Sequence, residues 1–354
     1  MGTLHQFLAG AAPGDAITEQ ALAISRWLRE LGFVSHLYAL HIESGMVDSV
    51  RPLATYRRAR DEDYAILHHS IGSDVVDTLL RQRLGVILVY HNVTPPEFFH
   101  HTEPYLARLA RQGREQLGQL RPQTALAIAD SRFNAAELLK EGYRETAVLP
   151  ITLYAGRYQL PSDPDLTRQI VSRAPNLLFI GRLAANKRQE DLVKLLYFLR
   201  RVRPEAHLYL VGERWQSGYA AWVTDLAEEL DVSDGLTLTG KVSQTEMVTY
   251  LKSVDLYVSM SEHEGFGVPL IESMYLGLPV MAYAAAAVAE TLGGAGILFR
   301  QKHYAELAEL IDLLLDDEPL RRRIVERQRQ RVQAFLEPTV RRQFVSLLEG
   351  LNLC

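Results

Sequence analysis

Two acids bracket a glycine turn in the run Glu264-Gly265-Phe266-Gly267-Val268-Pro269-Leu270-Ile271-Glu272. Gly265 and Gly267 allow backbone to come close to a ligand, and Pro269 suits the start of a helix. The free amides and positive dipole end of such a helix attract phosphate, while Glu264 and Glu272 could grip hydroxyls beside it. A second cluster lies about eighty residues earlier, in Gly181-Arg182-Leu183 and Asn186-Lys187. Two cations after a glycine could meet a diphosphate from the other side. Each residue taken singly also has an ordinary reading. Glu272 in a first helical turn is favoured by the dipole alone, Glu264 could be a solvated loop acid, and Arg182 and Lys187 could be surface cations.

The elements that must carry these residues follow from periodicity. Val254, Leu256 and Val258 alternate as a strand, the acid-glycine loop follows, Ile271 and Met274 mark an amphipathic helix, and Leu278-Pro279-Val280 opens another strand. Comparable strand and helix units run along the whole chain. Strands are expected at Phe33 to Leu40, Tyr64 to His68, Gly85 to Tyr90, Ala125 to Ala129 and Ala147 to Leu149, with helices at Ser73 to Arg83 and about Tyr105 to Leu120. Strands apolar on both faces and separated by helices imply parallel sheets covered on both sides. Prolines at 150, 161, 164 and 175 mark a linker. A second α/β series then runs through Asn176 to Ile180, His207 to Val211, Leu236 to Leu238, Val254 to Val258, Pro279 to Ala282 and Gly296 to Phe299. It ends in a helical tail with Leu307, Leu310, Ile311 and Leu314 on one face. The fold class is therefore α/β, with two Rossmann-like domains, residues 1 to 160 and 170 to 336, facing a central cleft at the carboxyl ends of their strands.

The string E-G-F-G-V-P-L-I-E, with its flanking strands, resembles the E-x7-E signature of the retaining nucleotide-sugar glycosyltransferases of family four, or group 1, which have the GT-B fold. The resemblance covers about Asn176 to Phe299. Over the first domain it rests on Gly14-Asp15, Tyr90-His91-Asn92 and the strand order. It implies that Arg182 and Lys187, with Gly181, bind the donor diphosphate, and that Glu264 contacts sugar hydroxyls within the donor loop Gly265, Phe266, Gly267 and Val268. It implies that Glu272 holds the ribose, that Lys241 and Val242 touch the base, and that Glu213 lines the nucleotide pocket. His91 would stand beside the transferred sugar, with Gly14 and Asp15 on the acceptor side, and residues 337 to 354 would form a helix returning to the first domain. Two positions depart from the pattern: Ala289 stands where proline is usual before Glu290, and Arg188 stands where glycine often follows the lysine.

The resemblance implies transfer of a hexose from a uridine- or guanosine-linked donor to a hydroxyl acceptor, with retention and without a metal, and with no cofactor beyond the nucleotide sugar. An idle nucleotide-sugar binder or assembly subunit is the alternative. An oxidoreductase is disfavoured, since no G-x-G-x-x-G opens a helix after a strand. A net charge of −5 argues against general nucleic-acid affinity. The only cysteine is Cys354, so neither an intrachain disulfide nor a cysteine zinc site is available. With no signal peptide pattern at the start, a cytoplasmic protein is expected, with peripheral membrane contact possible through an arginine-rich helix face that includes Arg321, Arg322, Arg323 and Arg331. Asp61-Glu62-Asp63 and Asp163-Pro164-Asp165 match D-x-D spacing but read as solvated turns. His68-His69 and His100-His101 lack the spacing of metal ligands.

Overall fold

The computed structural model describes residues 2–213 and 218–353; Cys354 lies outside them. In chain order the first series is β1 (Leu4–Ala11), α1 (Ala16–Glu30), β2 (Leu37–Ile42), β3 (Val50–Pro52), β4 (Tyr64–His69), α2 (Asp74–Gln82), β5 (Gly85–Tyr90), α3 (Pro104–Leu120), β6 (Thr124–Ala129), α4 (Arg132–Lys140) and β7 (Ala147–Val148). The second comprises α5 (Pro164–Val171), β8 (Asn176–Ile180), α6 (Gln189–Leu199), β9 (His207–Val211), α7 (Gly218–Glu229), β10 (Leu236–Gly240), α8 (Gln244–Ser253), β11 (Leu256–Ser259), α9 (Val268–Leu276), β12 (Val280–Tyr283), α10 (Val288–Leu292) and β13 (Ile297–Phe299). Three helices follow: α11 (Tyr304–Asp316), α12 (Glu318–Val332) and α13 (Glu337–Glu349).

The chain divides into two compact units, and it leaves the first at Thr152. Unit 1 holds the chain up to His100, Pro104–Thr152 and everything from Glu337 on, while unit 2 holds Leu153–Leu336 with residues 101–103. The sheet of unit 1 has seven strands in the order β3-β2-β1-β4-β5-β6-β7, and that of unit 2 has six in the order β10-β9-β8-β11-β12-β13. All the pairings are parallel. β5 and β8 are buried almost throughout, as sheets covered on both faces require. In unit 1, α13 lies on α1: Phe344 is fully buried 5.7 Å from the Trp27 ring, and Trp27 Nε1 donates to Glu337 at 2.9 Å.

Several local expectations need correction. The strand expected at Phe33 begins only at Leu37, because Gly32 (φ 90°) ends α1 in a left-handed turn. The proline-rich linker contains a helix, α5, since Pro164 occupies its opening turn and Asp163 caps it through Asp165 N and Leu166 N. Asp163 therefore serves as a cap. Glu62 is not solvated: it is fully buried and accepts from Tyr56 Oη at 3.0 Å and Ala59 N at 3.1 Å. Leu310 is exposed while Leu307, Ile311 and Leu314 are buried. Arg331 turns away from solvent to donate to the carbonyls of Thr291 and Glu290.

Candidate functional site

β8 and β11 are hydrogen-bonded neighbours, Leu177 facing Leu256, although β9 and β10 separate them in the chain. This is the point where strand order reverses, so the loops leaving the two carboxyl ends diverge and open a crevice. The loop after β8 carries Gly181, Arg182 and Lys187; the loop after β11 carries Glu264 to Gly267. The fold thus brings the two clusters together at one edge of unit 2.

Lys187 Nζ lies 2.6 Å from both carboxylate oxygens of Glu264, with the lysine and glutamate side chains 21% and 14% exposed. Asn186 accepts from Glu262 N at 2.9 Å through its carbonyl, and its side-chain amide donates to the His263 carbonyl at 3.2 Å. Glu264 is fixed from behind, its carbonyl accepting from Ala287 N at 3.1 Å. Gly267, at φ 90°, opens α9 in a left-handed conformation, where a side chain would meet Leu270 at 2.8 Å. Phe266 is buried against Phe335, and its carbonyl accepts from Thr291 Oγ1 at 2.6 Å. Pro269 sits in the first turn of α9, as its fixed φ favours. The carboxylate that holds the Lys187 ammonium lies four positions before α9 begins. An incoming phosphate can replace that carboxylate on Lys187.

The other rim positions stand at neighbouring strand ends. Gly181 N donates to the Val211 carbonyl at 2.8 Å, and Gly212 N donates to the Gly240 carbonyl at 3.1 Å. A side chain at Gly212 would lie 2.1 Å from the Gly181 carbonyl, so the ends of β8 and β9 pack backbone to backbone. Arg182 is half-buried and its carbonyl accepts from Gln189 Nε2 at 3.0 Å. Glu213 and Lys241 are exposed and Val242 half-buried, at the ends of β9 and β10. Glu272 falls in the second turn of α9, so the dipole does not account for it. It accepts from Tyr158 Oη at 2.6 Å, and burial raises its carboxyl above the ordinary value while the tyrosine bond opposes the rise.

Gly14, Asp15 and His91 belong to unit 1. Asp15 caps α1, its carboxylate accepting from Thr18 N and Thr18 Oγ1 at 2.9 Å each, and Gly14 (φ 79°) makes the turn before it. The His91 ring is buried with both nitrogens engaged, Nδ1 with Asp130 Oδ2 at 2.8 Å and Nε2 with His68 Nδ1 at 2.9 Å. His68 Nε2 meets Gln6 Oε1 at 2.9 Å, an orientation fixed by Gln6 Nε2 donating to the Ala21 carbonyl. Gln6, His68, His91 and Asp130 thus form a chain across β1, β4, β5 and β6, which are adjacent in the sheet. Both ring nitrogens of His91, the residue expected beside the transferred sugar, are engaged within unit 1. The bonds of this chain from Gln6 to Asp130 need three protons, one more than two neutral imidazoles carry, so the chain is complete when the Asp130 carboxyl is protonated. Burial supports this, depressing the His68 imidazole and raising the Asp130 carboxyl.

Residue types and spacing gave no sign of several partners. Lys302, after β13, donates to Asp191 and Glu262 at 2.8 Å each, and Tyr304 donates to Asp191 at 2.8 Å. The fully buried Asp191 carboxyl stays below its ordinary value although burial opposes this, because Lys302, Tyr304 and Arg188 donate to it. The one available signal was Arg188, conspicuous after the lysine. Among the described residues, no group of three His, Cys, Asp or Glu side chains could hold a metal ion, and no helix is long and apolar enough to cross a membrane.

Comparison with known proteins places this site in context. Residues 167–331 match the family model described as "Glycosyl transferases group 1". A glycogen synthase of Mycobacterium tuberculosis is 28% identical over 198 residues, 55% of this chain and 46% of that protein. A D-inositol 3-phosphate glycosyltransferase of Stackebrandtia nassauensis is 30% identical over 154 residues, 41% of this chain and 35% of its own. The chain spans about half the length or less of these curated relatives. Among solved structures, Anabaena HepE in complex with UDP and glucose superposes with a TM-score of 0.82 at 17% identity, covering 99% of this chain and 100% of that one. WaaG, a glycosyltransferase involved in lipopolysaccharide biosynthesis, gives 0.73 at 17% identity over 98% of this chain and 100% of its own. These likenesses identify the fold as GT-B, a pair of Rossmann-like α/β units.

Proposed function

We propose that the chain, whose residues 167–331 match the model of the glycosyl transferases of group 1, moves a hexose from a nucleoside-diphosphate sugar to a hydroxyl acceptor with retention of configuration. The observation that carries the reading is the Lys187–Glu264 pair, its acid four positions before α9, inside the matched segment. As the bond from the anomeric carbon to the diphosphate breaks, its electron pair and negative charge pass to the departing oxygen. Lys187, Arg182 and the α9 amides stabilise that charge more in the transition state than in the bound substrate. Glu264, released from Lys187, takes hydroxyls of the transferred sugar. The acceptor oxygen attacks the anomeric carbon on the face the diphosphate leaves, and its proton passes to the departing phosphate oxygen.

Glu272, beside Tyr158, is the proposed ribose ligand, with Glu213, Lys241 and Val242 on the nucleotide rim. The cations that meet the leaving group are side chains, so the proposal includes no metal; an unchanged rate after chelation would agree. Relatives point to both donor classes. HepE was solved with UDP, and a related Corynebacterium glutamicum enzyme is named GDP-mannose-dependent.

A thermal-shift screen of UDP, GDP and their sugars, followed by mass analysis of products, tests the reading, because a ligand selective for the folded state raises its melting temperature. Stabilisation by one nucleotide together with donor hydrolysis or transfer is the expected result. Binding without either reaction would favour the idle binder, and no binding by any nucleoside diphosphate would end both.

A further inference from the structure

We propose that Arg188 is a positioning residue that keeps Lys187 and Glu264 in register. Arg188 adopts φ 55° and ψ 44°, the left-handed region where glycine is unstrained. Such an outlier persists only where its surroundings hold it in place. Here the guanidinium does so, with Nη1 2.9 Å from Glu190, Nε 3.1 Å from Asp191 and Nε 3.4 Å from Glu262. Lys302 contacts the same Asp191 and Glu262 at 2.8 Å each. Arg188, Asp191, Lys302 and Glu262 therefore close a ring of alternating charge.

Two ion pairs thus run side by side between the same loops, Lys187 to Glu264 and Arg188 to Glu262. They differ in what a ligand would do to them. A phosphate bound to Lys187 displaces Glu264 and breaks the first pair, leaving the second to hold the loops together. Arg188 itself need not touch the ligand. As a statement about donor binding the inference rests on the reading above; as a statement about the geometry of the pair it is tested without any ligand.

The test is trace acetylation of the whole protein, with the labelling rate of Lys187 read by peptide mass spectrometry. Arg188→Gly removes both the guanidinium and the strain, and Glu262→Gln breaks the ring without altering position 188. Both are expected to speed Lys187 labelling by about fivefold or more, the range of coupling between residues in one network. Melting temperatures should stay within a few degrees of wild type, and Arg188→Lys should restore part of the protection. In Arg188→Gly the loss of a nearby positive charge would by charge alone slow labelling, so a faster rate there reports opened geometry. In Glu262→Gln the lost negative charge itself favours labelling, so that variant counts only together with Arg188→Gly. Unchanged labelling in Arg188→Gly and Glu262→Gln overturns the inference, whatever nucleotides do. Separately, protection of wild-type Lys187 by UDP or GDP supports the donor-site reading. Faster labelling in Arg188→Gly with no nucleotide protection would uphold the positioning role and reject that reading.

Discussion

Replacing Lys187 by alanine separates the two roles assigned to its ammonium, because stability and transfer respond by different amounts. Nζ contacts both Glu264 oxygens at 2.6 Å with both side chains mostly covered. At that distance an effective dielectric near 20 gives an attraction of roughly 6 kcal/mol. Desolvating both ions offsets most of it. What Lys187→Ala exposes is the cost of leaving Glu264 without its partner, about 1–3 kcal/mol. For a unit the size of Leu153–Leu336, each kcal/mol lowers the melting temperature by about 2–4 °C, so a drop of roughly 2–12 °C is expected. Transfer should fall much further, by roughly 100- to 1000-fold in kcat, the loss typical of removing one group that meets developing negative charge. Glu264→Ala also loses transfer but acts oppositely on binding. It frees Lys187 from an internal competitor, so free nucleoside diphosphate should bind more tightly, by up to about fivefold for 1 kcal/mol. Calorimetric titration with UDP and GDP, alongside product formation from the preferred donor, measures both arms. Full transfer by Lys187→Ala, or equal weakening of nucleotide binding in both variants, would refute the exchange of carboxylate for phosphate.

Three further outcomes follow from other parts of the chain. Glu272 has a carboxyl raised by burial, so its stabilising contribution is present below the unfolded value of 4.5 and is lost as pH rises through the folded one. Glu272→Gln should therefore melt higher than wild type at pH 7, with the difference vanishing in melts below about pH 4.5, while nucleotide affinity falls. Phe344→Ala, at a fully buried contact with Trp27, should cost about 3–5 kcal/mol in urea unfolding, and proteolysis should then cut ahead of α13. Asp130→Asn can still donate to His91 Nδ1 and should cost less than about 1 kcal/mol, whereas Asp130→Ala leaves that nitrogen unpaired and should cost about 1–3 kcal/mol by the same measurement.

What could be read from the sequence, and what could not, divides by the range of the interaction. Periods of two and 3.6 residues depend only on how a segment buries one face, so β5, β8, α3 and the strand-loop-helix around Gly267 were legible. Partners on other strands were not. His91 was visible at a strand end, but its partners are Gln6 on β1, His68 on β4 and Asp130 just after β6. Glu62 read as one of three solvated acids, yet the Tyr56 hydroxyl that takes it inside does not show in an acid-rich turn. Lys302 has no motif, because the charges it completes come from the first turn of α6 and the loop after β11.

The pairing of Lys187 with Glu264 is an intermediate case, and the topology explains why. The 77 positions that separate them in sequence are the length of chain that lays β9 and β10 on one side of β8 and returns through α8 to place β11 on the other. Right-handed crossovers in a parallel sheet keep every such loop at the carboxyl edge, and only where the order reverses do two of them diverge enough to leave room for a ligand. A glycine-cation loop and a glycine-acid loop separated by two complete strand-helix units are therefore suited to neighbouring strands at a reversal. The same two loops separated by one unit fewer would sit on strands without that gap, and a phosphate would have no space in which to take the place of the carboxylate.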